Sequence, residues 1–125
     1  MPLDWEQGAL AEGLGCYRRR EFFETHEHWE SVWLRAAEPE KTFLQALIQI
    51  AAAFHHLERG NRLGAASLLR AAQRRLHPYP AAFGELDVEA IRQSVCAWLS
   101  ALDAGEAAPV LPFPMIGSGP ERRST

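Results

Sequence analysis

The most suggestive chemistry in this 125-residue chain lies on one short line of residues, His26, Glu30 and Trp33. Their spacing of four and then three places them on a single helical face, with His26 and Glu30 as neighbours one turn apart. An imidazole and a carboxylate so placed are the donor types of zinc, iron and manganese sites. With a second imidazole such a site has open positions for water, and a metal-bound water becomes a nucleophile near neutral pH. His56 is the candidate second imidazole and Glu27 the candidate general base. The order His26-Glu27-x-x-Glu30 is not the His-Glu-x-x-His of zinc peptidases, because Glu30 stands where the second histidine would be.

His56 sits in a segment, Phe43 to Leu57, that is apolar on almost every side, which marks it as the central helix. Gln45 and Gln49 share that segment, and an unpaired buried amide or imidazole costs on the order of a few kcal/mol, so these groups need partners. Successive residues turn by about 100°, so positions 45, 49, 52 and 56 form one seam in which Ala52 leaves space. A short connection near Ala37 folds this helix antiparallel to the one carrying His26, placing His26 beside Gln49 and Glu30 beside Gln45. His56 lies about two turns, roughly 10 Å, further along, but helical side chains lean toward their own N-terminus, so His26 and His56 lean toward each other.

Two readings follow. In one, His26, Glu30 and His56 hold a divalent metal (zinc, iron or manganese) or a small-molecule ligand, supported by Gln45, Gln49 and Trp33. In the other, the same groups form a satisfied hydrogen-bond network that fixes helix register, Trp33 is core, and the protein is a structural or interaction module. Whether any reaction is catalysed stays open between them.

The elements that must position these residues read as all-α, a compact bundle of about five helices. Helix 1 is expected to begin at Asp4, with Gln7 completing a capping box, to carry Leu10, Leu14 and Tyr17, and to end in Arg18 to Arg20. Helix 2 is expected over 21–35 with Phe22, His26, Trp29 and Trp33 facing inward, and Pro39 suits the first turn of helix 3. Gly60 then stops helix 3 and Asn61 caps helix 4, so the two form a hairpin, with Gly64 allowing close backbone approach. After His77-Pro78-Tyr79-Pro80, Asp87 caps helix 5, whose Val88, Ile91, Val95, Trp98 and Leu102 form a clean stripe ending at Gly105. Residues 1–105 would form the bundle domain. Residues 106–125 would form a C-terminal extension, with Pro109 to Pro114 as an extended apolar strap and a tail from Gly117. No internal repeat is visible.

A formal net charge of −3 and a charged fraction of 23% describe an ordinary globule with no electrostatic footprint for nucleic acid or a membrane. A basic patch from Arg70, Arg74 and Arg75 with Arg18 to Arg20 reads as a solvated face, and His55 and His77 as surface or cap groups. Cys16 and Cys96 lack ligand spacing and read as buried free thiols. No secretory signal or membrane-length apolar run is seen, so a cytoplasmic location is expected, with a homodimer through an exposed apolar face. Ser67, Ser94 and Ser100 lack a Gly-x-Ser-x-Gly turn.

The stretch Phe22-Phe23-Glu24-Thr25-His26-Glu27-His28-Trp29-Glu30-Ser31-Val32-Trp33, followed by Phe43-Leu44-Gln45-Ala46-Leu47-Ile48-Gln49 and by His56 to Ala65, resembles the domain of unknown function 309 family. The resemblance spans about Leu10 to Leu76. It implies a helical protein of bacterial or archaeal type, marked by a His-x-x-x-Glu-x-x-Trp motif for which metal binding has been suggested. That implication falls on His26, Glu30 and Trp33 and brings no catalytic assignment.

Overall fold

Each helix packs on the one before it, and the first three connections are too short to carry the chain elsewhere. A computed structural model describes residues 3–105 and 111–116. Its helices are α1 (Gly8–Arg18), α2 (Phe22–Trp33), α3 (Glu40–Glu58), α4 (Arg62–Leu76) and α5 (Val88–Asp103). The expected all-α bundle is therefore present, with α3 at its centre between α2 and α4, and α5 against α4. Phe43, Leu44, Leu47 and Ile50 of α3 have no exposed surface. Among the described residues no helix is long and apolar enough to cross a membrane.

One element was not anticipated. A two-stranded antiparallel ribbon, β1 (Ala82–Phe83) with β2 (Leu86–Asp87), precedes α5. Strands of two residues carry no readable alternation. Their signal is the turn, where Gly84 and Glu85 both have positive φ, as a two-residue hairpin of primed type requires. Asp87 then caps α5 as expected, its carboxylate accepting from the Ala90 N–H at 3.1 Å.

The start of helix 1 is corrected. Asp4 accepts from the Glu6 N–H in a local turn, and the helix begins only at Gly8, after a Gln7 cap that makes no side-chain bond. Residues ahead of it are held by Trp5, which is buried with its indole N–H donating to the Gly84 carbonyl at 2.9 Å. Anchoring that indole takes precedence over continuing the helix, because a buried ring N–H needs an acceptor.

The joints α1–α2 and α3–α4 are built alike. In one, Glu21 N–H donates to the Cys16 carbonyl at 2.8 Å and Arg20 N–H to that of Tyr17 at 3.0 Å. In the other, Asn61 N–H donates to His56 at 2.8 Å and Gly60 N–H to Leu57 at 3.0 Å. This is the Schellman helix ending, with the left-handed position filled by Arg20 in one joint and by Gly60 in the other. The same forty-residue offset pairs the buried Leu10, Leu14, Thr25 and Trp29 with Ile50, Phe54, Ala65 and Leu69. The chain thus contains two helical hairpins on one plan, which residue identity conceals.

The close approach expected at Gly64 is found instead at Gly13, for which no expectation was made. A Cβ on Gly13 would lie 2.4 Å from Trp29 Nε1, so Gly13 leaves the Trp29 ring its place against α1. A Cβ on Gly64 would strike the Asn61 side chain, so Gly64 makes room for the helix cap and not for a neighbouring backbone. The two thiols also differ, since Cys16 is buried and Cys96 exposed, both free.

Residues 111–116 form the strap, without helix or strand hydrogen bonding. The Tyr17 hydroxyl donates to the Pro114 carbonyl at 2.6 Å and the Trp98 indole to that of Pro112 at 2.9 Å. Ile116 is buried. Pro109, Val110 and the tail from Gly117 lie outside the described residues.

Gly13→Ala is expected to lower stability by about 1–3 kcal/mol, since Trp29 has nowhere to move; a denaturant midpoint equal to wild type would refute the close approach. Burial also pushes the Tyr17 phenol well above its ordinary value, and chiefly burial raises that of Tyr79. A raised folded-state value contributes stability that is full below about pH 10 and is lost as pH climbs further. Tyrosinate absorbance in the native protein should accordingly lag behind that of the urea-unfolded chain above pH 10.

Candidate functional site

The rotation of α2 about its axis decides which of its residues meet α3. The buried line is Phe22, Thr25 and Trp29, at spacings of three and four. It is not the expected Phe22, His26, Trp29 and Trp33, for His26 and Trp33 are only half-buried. Thr25 was missed because a threonine reads as polar. Its methyl enters the core while its hydroxyl donates to the Glu21 carbonyl at 2.9 Å, so no polar group is left unpaired. Glu27 and Glu30 are both exposed.

With Thr25 inward, His26 turns to the side of the α2–α3 contact. There Phe22, Phe23, His26, Ala52, His55 and His56 line a groove of about 190 Å³. Ala52 leaves the space foreseen for it. The ring of Phe23 lies 6.5 Å from that of His26 and 5.5 Å from that of His55, and the His55 and His56 rings are 6.1 Å apart. His26 and His56 therefore share a site, while Glu30 does not line it. His55 does, and its adjacency to His56 on a helix that narrows at Ala52 was the available signal.

The hydrogen bonding of His56 fixes its chemistry. Asn61 Oδ1 accepts from the Gly64 N–H at 2.9 Å, which orients the amide so that its Nδ2 faces His56 Nδ1 at 3.2 Å. Nδ2 can only donate, so Nδ1 is the acceptor and the proton of the neutral ring sits on Nε2. In that tautomer Nε2 is a hydrogen-bond donor.

The remaining expected partners lie elsewhere. Gln49 Oε1 accepts from Arg75 of α4 at 3.5 Å, so this part of the polar seam turns away from α2. Gln45 is half-buried outside the groove lining. Trp33 is covered by Lys41, whose ammonium lies 4.3 Å from the ring centroid and donates to the Trp33 carbonyl at 3.0 Å. The buried Trp33 Nε1 has no acceptor among the described residues. Among those residues no three His, Cys, Asp or Glu side chains group so as to hold a metal ion.

Asn61→Ala removes both the helix cap and the donor to His56. A stability loss of about 1 kcal/mol is expected, together with mixed His56 tautomers in the imidazole ¹⁵N spectrum; retention of pure Nε2–H would count against the assigned hydrogen bond.

No curated protein matches the chain. Residues 10–68, which run from α1 through the groove and into α4, match the family described as Domain of unknown function (DUF309), so the resemblance carried by α2 and α3 holds over that stretch.

Proposed function

We propose that the protein is a small-ligand-binding helical module whose site is the aromatic and imidazole groove between α2 and α3. The observation that carries this reading is the composition of the groove: two phenyl rings and three imidazoles surround the gap left by Ala52. Apolar spaces of about 150 Å³ accept a single six-membered ring. The Nε2–H of His56 suits an acceptor on that ring, so the favoured ligand is a one-ring molecule bearing a carboxylate or carbonyl.

This reading is preferred to a metal centre formed by His26, Glu30 and His56. Glu30 is exposed outside the groove, and the Asn61 amide beside His56 Nδ1 favours the tautomer that carries its proton on Nε2. Nor does a buried His26–Glu30 network hold the helices in register, so Glu30→Ala should change stability by no more than about 0.5 kcal/mol.

Titration with benzoate, followed by imidazole ¹⁵N shifts, tests the proposal. Benzoate is expected to shift His56 and His26, and Ala52→Leu is expected to abolish the response without lowering the melting temperature. A silent benzoate titration, with stoichiometric zinc uptake lost on His26→Ala, would replace this reading with the metal one.

A further inference from the structure

The strap is seated as a peptide ligand would be. Proline fixes φ near −65° and keeps the preceding residue extended, so Leu111-Pro112-Phe113-Pro114 is a stiff extended segment before it meets anything. Neither the exposed Pro112 nor the buried Pro114 has an N–H to leave unpaired, and each presents a carbonyl that accepts a donor. The bundle supplies one donor to each: the Trp98 indole N–H for Pro112 and the Tyr17 hydroxyl for Pro114.

Between these two bonds, Phe113 enters a pocket of rings. It stacks on Trp98 with an interplanar angle of 10°, and meets Phe22 and Phe54 edge-on at 5.2 and 4.7 Å. The Arg20 guanidinium closes the pocket 4.7 Å from the Phe113 centroid. Arg20 is the left-handed residue of the α1–α2 joint and also pairs with Glu58 at 3.4 Å, so it is positioned by the fold independently of the strap. Donors on Trp and Tyr that clamp proline carbonyls across an aromatic floor are the means by which proline-rich segments are recognised between molecules. Arrays of helical hairpins, of which this chain has two plus α5, characteristically offer such extended binding surfaces.

We propose that this seat, formed by Tyr17, Arg20, Phe22, Phe54 and Trp98, is a binding site for extended Pro-aromatic-Pro peptides of a partner protein, and that residues 111–116 are its intramolecular occupant. Five residues separate Gly105 from Leu111, so the strap confronts its seat at an effective concentration of roughly millimolar order. A partner therefore binds only in competition with it, and weakening the strap raises apparent affinity for the partner. The site is distinct from the α2–α3 groove, although Phe22 borders both.

The test uses a fluorescently labelled Leu-Pro-Phe-Pro-Met-Ile peptide and anisotropy. It should bind full-length Phe113→Ala at least tenfold more tightly than the wild-type chain. The same peptide with alanine for phenylalanine should lose at least tenfold, and a Trp98→Phe background about fivefold. As a control against misfolding of Phe113→Ala, a protease site placed within 106–110 of the otherwise unaltered chain should, once cut, let the labelled peptide exchange with the native strap. No binding to either form, indifference to the phenylalanine, or exchange seen only as strap-swapped dimers in light scattering would overturn the proposal.

Discussion

The contact between Trp29 and Gly13 is the constraint on which the rest of the molecule depends. Trp29 has no exposed surface, and its indole N–H donates to the Leu10 carbonyl at 3.2 Å across the α1–α2 interface. Only a residue without a side chain at position 13 leaves that ring its place. Trp29 then packs on Trp5 at 5.7 Å and Tyr17 at 6.1 Å, drawing the N-terminal segment and the end of α1 onto one centre. Once Trp29 is inward, Thr25 is inward one turn earlier, and His26 must stand at the edge. The placement of the candidate site is thus a consequence of a packing decision made on the opposite face of the helix.

The repeated joint has a similar reach. In both hairpins the helix ends through the same pair of backbone bonds, so α2 leaves α1 much as α4 leaves α3. In the second joint the residue that donates the closing backbone N–H, Asn61, also caps α4 and holds the His56 ring. His56 therefore serves the turn through its carbonyl and the groove through its ring. In the first joint Arg20 takes the left-handed position that Gly60 takes in the second, at the steric cost of a side chain, and that side chain covers Phe113.

Much of the architecture was readable from local chemistry. Asn61 and Asp87 as caps, Gly60 and Gly105 as endings, the α5 stripe and the apolar strap all express rules that operate within a turn or two of chain. The candidate site was readable only in part. His26, Ala52 and His56 line one groove, because antiparallel packing and the lean of helical side chains follow from a short connection. Glu30 fell elsewhere, because periodicity on α2 fits two neighbouring stripes about equally well and Thr25 tips the choice only when its hydroxyl can be satisfied by the Glu21 carbonyl, while Gln49 on α3 turned to Arg75 of α4.

Residue type and spacing alone establish that this chain is helical, where its helices stop, and which residues carry imidazole, carboxylate and indole. They do so because capping, propensity and amphipathic period are short-range. Which face of α2 is buried, which histidine tautomer faces the groove, and what the strap rests upon are decided by contacts between residues far apart in the chain. Trp29 against Gly13, Asn61 against His56 and Trp98 against Pro112 have energies that depend on distances no local pattern encodes.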